Sequence, residues 1–281
     1  VVTLEEACPS ADIIITTTGI NCDRELAEAF GLAGADPVSM HLNQLIEQPA
    51  CIDEFDLIGL PGGFSYGDAV AAGRIASQVM RSGIYDALQR ALQRGVPMIA
   101  PCNGFQIAVQ VGLLPGPADE APAFVEPPQP TVALADNDSA RFIDRWVRIE
   151  IPVGTRCVWT KGLEMEAGTD LLPIAHGEGR FVASPEEFAR LEQTGCIAVR
   201  YASDDNPNGS LGDVAGICDR SGLVFGLMPH PERYTRWTSH PIWTRLDAGS
   251  MKIDPPGLRM FRNAVDHVRA HASSSTACDV R

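Results

Sequence analysis

The sequence predicts an α/β fold: a mostly parallel central sheet with helices on both faces, carrying a smaller β-rich insertion. Three observations lead there. Short apolar, β-branched runs alternate with helical stretches over residues 12–111, the pattern of a parallel sheet covered on both sides. The runs end in the loops TTGIN (17–21), PGGFSYGD (61–68) and APCNGF (100–105), and ligands bind beyond the carboxyl ends of such strands. These three loops are therefore expected to converge on one crevice. Past a proline-rich stretch the runs shorten and become more β-like, which marks the insertion. With 45% hydrophobic and 21% charged residues in 281, the chain is ordinary globular protein, neither fibre nor disordered scaffold. It reads as a single domain over 12–270 with a disordered tail at 271–281.

The elements follow in order. Asp12 to Thr18 is a buried strand. Asn21 and Asp23 cap a short helix over Glu25 to Phe30, which Gly31 ends. Phe55 to Leu60 is a strand stopped by Pro61-Gly62-Gly63. Asp68 opens a helical stretch to Arg94, broken near Ser82-Gly83. Val96 to Ala100 is a strand with Cys102 just past its end, and Gly104 to Val111 is a helix closed by Gly112. Pro115 to Pro130 holds six prolines and reads as an irregular connection. Strand-like runs follow at Trp146 to Ile151, Cys157 to Thr160, Ile197 to Tyr201, Val214 to Cys218 and Leu223 to Leu227. Met260 to Ala270 is the final helix.

Lys and Arg number 22 against 36 Asp and Glu, a formal charge of −14. So acidic a surface repels phosphate backbones, which excludes nucleic acid and anionic membranes as the main partner. No apolar run reaches the ~20 residues that span a bilayer, and Val1 to Pro9 lacks a basic leader region. A cytoplasmic location with reduced thiols is expected. The eight cysteines (8, 22, 51, 102, 157, 196, 218 and 278) form no CxxC pair, and His176, His230 and His240 show no ligand spacing with them, so no metal is expected.

Chemistry concentrates at three places. Cys102 lies between a strand and a helix, where a sharp turn projects a side chain into the crevice above the helix N-terminus. That is the logic of the nucleophile elbow, and the partial positive charge of the helix end favours the reactive thiolate. In Met228-Pro229-His230-Pro231-Glu232 the prolines stiffen an extended segment, in which residues two apart share a side. Glu232 can then brace one imidazole nitrogen of His230 while the other faces Cys102 as a base. Pro61-Gly62-Gly63 can turn backbone N–H groups inward, and with the N–H of Asn103 they suit an oxyanion hole. No Walker pattern occurs in the chain. Taken singly, each feature has an ordinary structural explanation. Together they support a cysteine nucleophile in an α/β fold.

NCDRE (21–25), PGGFSYGD (61–68), CNGFQ (102–106), HGEG (176–179), NGS (208–210) and PHPER (229–233) occur in the order found in a known family. Over nearly the whole chain, the sequence resembles the glutaminase subunits of phosphoribosylformylglycinamidine synthases. These are class I (triad) glutamine amidotransferases with a flavodoxin-like fold. The resemblance implies that Cys102 attacks the side-chain amide of L-glutamine, His230 carries the proton and Glu232 orients His230. It also implies an oxyanion hole from Gly63 and Asn103, and substrate contacts from Gln106, His176, Gly177 and Glu178. It further implies a synthetase partner that uses ATP and magnesium, and a small third subunit, with no cofactor in this chain.

Three departures stand out. Ala100 replaces a family glycine, and a positive φ there would cost ~1 kcal/mol. The first loop reads Thr18-Gly19-Ile20-Asn21 in place of the family's Pro-Gly-Ser-Asn. The segments from Pro115 to Pro130 and from Tyr234 to Pro256 are longer than the usual connections, and the second carries Trp237, His240 and Trp243. Its roles could be to cover the site, to meet a partner or to pack on the surface. The competing readings are another cysteine hydrolase on a similar sheet and a non-enzymatic assembly subunit.

Overall fold

The computed structural model describes residues 12–117 and 127–276. Most of the proline-rich connection, the N-terminal stretch and residues 277–281 of the expected tail lie outside the described residues.

Among the described residues nine strands form one sheet, and its first half is built from β1 (Asp12–Thr16), β2 (Pro37–His41), β3 (Ile58–Gly59), β4 (Met98–Pro101) and a strand from far along the chain, β11 (Val224–Leu227). These five run parallel in the order β2-β1-β3-β4-β11. That is the doubly wound, flavodoxin-like order, with its switch point between β1 and β3. α1 (Asp23–Ala33) links β1 to β2, while α3 (Arg74–Gly83) and α4 (Tyr85–Gln93) link β3 to β4. The two crossovers leave β1 and β3 in opposite directions, so right-handed connections place their helices on opposite faces. α1 packs against the last helix, α7 (Pro256–Thr276), with Phe30 edge-on to Phe261 at 5.2 Å. α3 packs against α5 (Asn103–Val111) on the other face.

The insertion comes between α5 and β11. β5 (Val132–Asp136) and β8 (Glu178–Ala183) make a separate two-stranded sheet. β6 (Ile143–Glu150), β7 (Leu171–His176), β9 (Ile197–Tyr201) and β10 (Val214–Cys218) extend the main sheet antiparallel beyond β11. α2 (Leu42–Glu47) and α6 (Pro185–Gln193) complete the set. The apolar strand interiors are fully buried: Ile13, Ile14, Ile58, Met98, Ile99, Val199, Ile217 and Phe225 share one continuous core.

Several expectations shift. α1 runs through Gly31 and ends at Gly34, whose φ of 94° lets its N–H turn back to the Gly31 and Phe30 carbonyls. Neither Asn21 nor Asp23 caps it through a side chain; Cys22 is the N-cap residue. The helix expected from Asp68 starts only at Arg74. Cys157 to Thr160 is a buried turn, because Trp159 leaves the sheet to pack on Phe30 and Phe261 while its indole N–H donates to the Leu223 carbonyl at 2.8 Å. Residues 271–276 of the expected tail are helical, the last turns of α7. The Tyr234–Pro256 segment packs on the protein itself: His240 is buried against Trp146 and Tyr234, and the Trp237 indole N–H donates to the Ile253 carbonyl at 2.7 Å. No described helix is long and apolar enough to cross a membrane.

Candidate active site

Cys102 sits where β4 passes into α5, with φ 50° and ψ −110°. That region costs a non-glycine residue ~1–3 kcal/mol, so the surroundings must impose it. They do so from both sides. The Cys102 N–H donates to the Leu227 carbonyl of β11 at 2.7 Å, and its carbonyl accepts from the N–H groups of Phe105 and Gln106 at 2.9 and 3.2 Å. Gly104 lets α5 start against β3, since a Cβ there would stand 1.9 Å from the Leu60 carbonyl oxygen. Ala100 is buried in β4 with ordinary strand backbone, so the departure from the family glycine brings no strain.

His230 Nδ1 meets Glu232 Oε1 at 2.6 Å, with both side chains buried. The extended segment predicted from the prolines holds only as far as His230 (φ −108°, ψ 85°); Pro231–Arg233 then form a single 3-10 turn. That turn, rather than strand alternation, brings the carboxylate to the ring. The segment is anchored by the His230 N–H on the Pro173 carbonyl at 2.8 Å. Gly62 shows how closely the groups gather. A Cβ built on it would lie 2.8 Å from His230 Cε1, 3.4 Å from Cys102 Cβ and 3.5 Å from Cys22 Sγ. Burial opposes charge on His230, but the Glu232 carboxylate and the Cys102 sulfur outweigh it and raise the imidazole to about 10. An imidazolium beside the sulfur is therefore the resting form at neutral pH.

Cys22 is the neighbour that spacing did not reveal. Its sulfur, His230 and Glu232 offer ligand-type atoms within 4.8 Å of one another. The arrangement suits a metal poorly: Glu232 already holds His230 Nδ1, and the Arg233 guanidinium donates to the Cys22 sulfur at 3.0 Å. Burial, then the Glu232 charge, push Cys22 up to about 12. It stays a thiol at neutral pH.

The three loops meet as expected. The Phe64 and Tyr66 N–H groups donate to the Gly19 and Thr18 carbonyls at 3.0 and 2.7 Å, and Ile20 bridges Gly63. Asn103 ties the second loop to the elbow, its side-chain oxygen accepting from the Ser65 N–H at 3.2 Å. Gly63, at φ 139°, and the first residue of α5 thus carry their N–H groups on one rigid frame.

A cavity of about 360 Å³ opens above Cys102, within the range of small-ligand sites. Gly63, Gln106, His176, Gly177 and Glu178 line it. His230 and Glu232 stand behind the thiol. The Gln106 amide is committed to the frame, donating to the Glu178 carbonyl and accepting from Asn103 Nδ2 at 2.9 Å. The Glu178 carboxylate accepts from the Ala72 N–H at 3.2 Å. Burial, followed by the charge on His230, lowers His176 to about 4, so it is neutral. Asn208 is buried, donating to the Gly179 carbonyl at 2.8 Å and so bracing the HGEG strand. The remaining wall, with Arg141 and Phe142, comes from the β5–β6 connection and carried no sequence signal beyond a polar turn.

A strained cysteine elbow at a doubly wound sheet, backed by a buried His–Glu pair and a small polar cavity, defines a triad-type amide hydrolase. Residues 11–268 match the CobB/CobQ-like glutamine amidotransferase domain, and the chain belongs to that family. Among curated proteins it is 38% identical over 266 residues to phosphoribosylformylglycinamidine synthase subunit PurQ of Dehalococcoides mccartyi, covering 92% of this chain and 97% of that one. It is 40% identical over 230 residues to the same subunit of Frankia casuarinae, covering 81% and 86%. Among solved structures, PurLQS from Thermotoga maritima matches with TM-score 0.68 and 29% identity, over 92% of this chain and 99% of that one.

Proposed function

We propose that this chain is the glutaminase subunit of a phosphoribosylformylglycinamidine synthase. It hydrolyses the side-chain amide of L-glutamine and passes the ammonia to a synthetase chain, which converts formylglycinamide ribonucleotide to formylglycinamidine ribonucleotide in purine biosynthesis. Cys102, its proton already held by His230, attacks the amide carbon. The oxyanion forms against the Gly63 and Asn103 N–H groups. Collapse of the tetrahedral adduct breaks the C–N bond as His230 returns the proton to the leaving nitrogen, giving ammonia and a γ-glutamyl thioester. Water, deprotonated by His230, then releases glutamate and restores the sulfur–imidazolium pair. Glu232 keeps the imidazole oriented and stabilises its charge throughout.

Gln106, His176, Gly177 and Glu178 shape the glutamine cavity around that chemistry. Ammonia released into water at neutral pH is protonated and lost as a nucleophile, so transfer requires an assembled complex. A small third subunit completes that assembly. ATP and magnesium belong to the synthetase, and the whole works in the cytoplasm.

The 2.6 Å His230–Glu232 contact behind the Cys102 elbow carries this reading. Glutamate release should be weak from the chain alone, rise strongly with the cognate synthetase, and vanish in Cys102→Ala. Equal turnover with and without the synthetase, or activity that survives in Cys102→Ala, would overturn it.

A further inference from the structure

The glutamine that enters this cavity is a zwitterion, and the amide must reach Cys102 while both backbone charges find partners. Around the cavity the charged side chains are Asp68, Asp136 and Glu178 on the acidic side and Arg141 on the basic side. The first three suit an ammonium group and repel a carboxylate. Arg141 is the one cationic side chain among the described residues lining the space.

Its surroundings set it apart from nearby arginines. Arg145 pairs with Asp205 at 2.8 Å, Arg148 with Asp204, and Arg180 with Asp138 at 3.3 Å. The Arg141 guanidinium makes no ion pair or hydrogen bond among the described residues, although its backbone is firmly held. Ala140, at φ 51°, donates its N–H to the Asn137 carbonyl at 2.8 Å. The buried Asn137 amide then donates to the Arg141 and His176 carbonyls, both at 2.9 Å. Two carbonyl acceptors fix which end of the amide is nitrogen, so Asn137 Oδ1 faces His176 Nδ1 at 3.0 Å and that ring nitrogen carries the hydrogen. One side chain thus clips the Arg141 turn to the end of β7, beside Ala175, whose carbonyl lies 3.6 Å from the Cys102 sulfur. An unpaired cation on an anchored base, facing an acidic wall across a cavity above the nucleophile, is the arrangement that orients an amino-acid zwitterion.

We infer that Arg141 binds the α-carboxylate of glutamine and sets the cavity's selectivity for a free amino acid, with Asn137 as its positioning residue. This rests on the glutaminase reading above.

The test uses the chain assembled with its cognate synthetase. Wild type, Arg141→Gln and Arg141→Lys are compared for glutamate release from L-glutamine, with L-glutaminamide, whose carboxylate is a neutral amide, as competitor. Arg141→Gln should raise KM for glutamine about 30- to 100-fold, the worth of a charge-assisted contact, and leave kcat within about threefold. Arg141→Lys should recover most of the loss. The preference for glutamine over glutaminamide should collapse in Arg141→Gln. An unchanged KM, a loss confined to kcat, or a preference that survives the substitution would overturn the assignment. Failure of wild type to release glutamate would instead refute the glutaminase reading itself.

Discussion

Gly62→Ala puts a single methyl group into the catalytic cluster. The site's chemistry is untouched, and Gly62 keeps a backbone that alanine adopts without strain, since it is absent from the positive-φ glycines. The new Cβ would stand 2.8 Å from His230 Cε1 and 3.4 Å from Cys102 Cβ, where carbon atoms settle at ~3.5–4.0 Å. The ring must therefore retreat by roughly 0.7 Å or more. His230 has little freedom to retreat: Glu232 holds Nδ1 at 2.6 Å and the Pro173 carbonyl holds the backbone at 2.8 Å. The displacement falls on the imidazole–sulfur geometry, and a shift near 1 Å costs about 100-fold in rate. Overpacking costs ~1–3 kcal/mol of stability, which an intact domain of this size tolerates. Glutamate release in the assembled complex, read beside a thermal melt, separates the two effects. The expected result is a kcat reduced about 100-fold with a cooperative melt within several degrees of wild type. A variant within threefold of wild-type kcat would refute the close packing of ring and thiol around Gly62.

Three further outcomes follow from the same geometry. Glu232→Gln should cut kcat by about 10³-fold or more with little change in KM, measured in the same assay. His230 keeps its proton up to about 10 in the folded protein; kcat/KM of wild type should fall only above that pH as the acid for the leaving nitrogen is lost, and the fall should move to lower pH in Glu232→Gln. His176 titrates at about 4 when folded against 6.5 when free. The unfolded chain binds the extra proton between those values, so wild type should lose up to about 3 kcal/mol relative to His176→Gln as pH drops from 6.5 to 4, read by urea denaturation at each pH.

Legibility from sequence tracked how local each feature is. β9 and β10 match their apolar runs residue for residue, and β1 and β4 nearly so, because central strands buried on both faces are written as unbroken hydrophobic stretches. β2 at one margin of the sheet and β5, β7 and β8 in the insertion carried no strand signal. β2 includes Pro37 and Ser39, Pro173 interrupts β7, and β8 alternates Arg180 with Phe181. Each is half-exposed or paired with a distant partner, so its composition says little. Gly31 and Gly34 were both able to end α1, and only packing decides between them. The cluster of Cys102, His230 and Glu232 was legible because its members sit in stiff local motifs. Cys22 and Arg141 were not, because one reaches His230 through the fold and the other arrives on the β5–β6 connection, whose flanking strands pair with β8 and β7 further along the chain.

The nucleophile itself can be addressed directly. The assembled complex is treated with a glutamine-like diazoketone, and the adduct is located by peptide mapping. One adduct per chain on Cys102 is expected, absent in Cys102→Ser and formed far more slowly in Glu232→Gln. Labelling of Cys22 instead, or equal labelling of Cys102 with and without Glu232, would contradict a braced imidazole activating that sulfur.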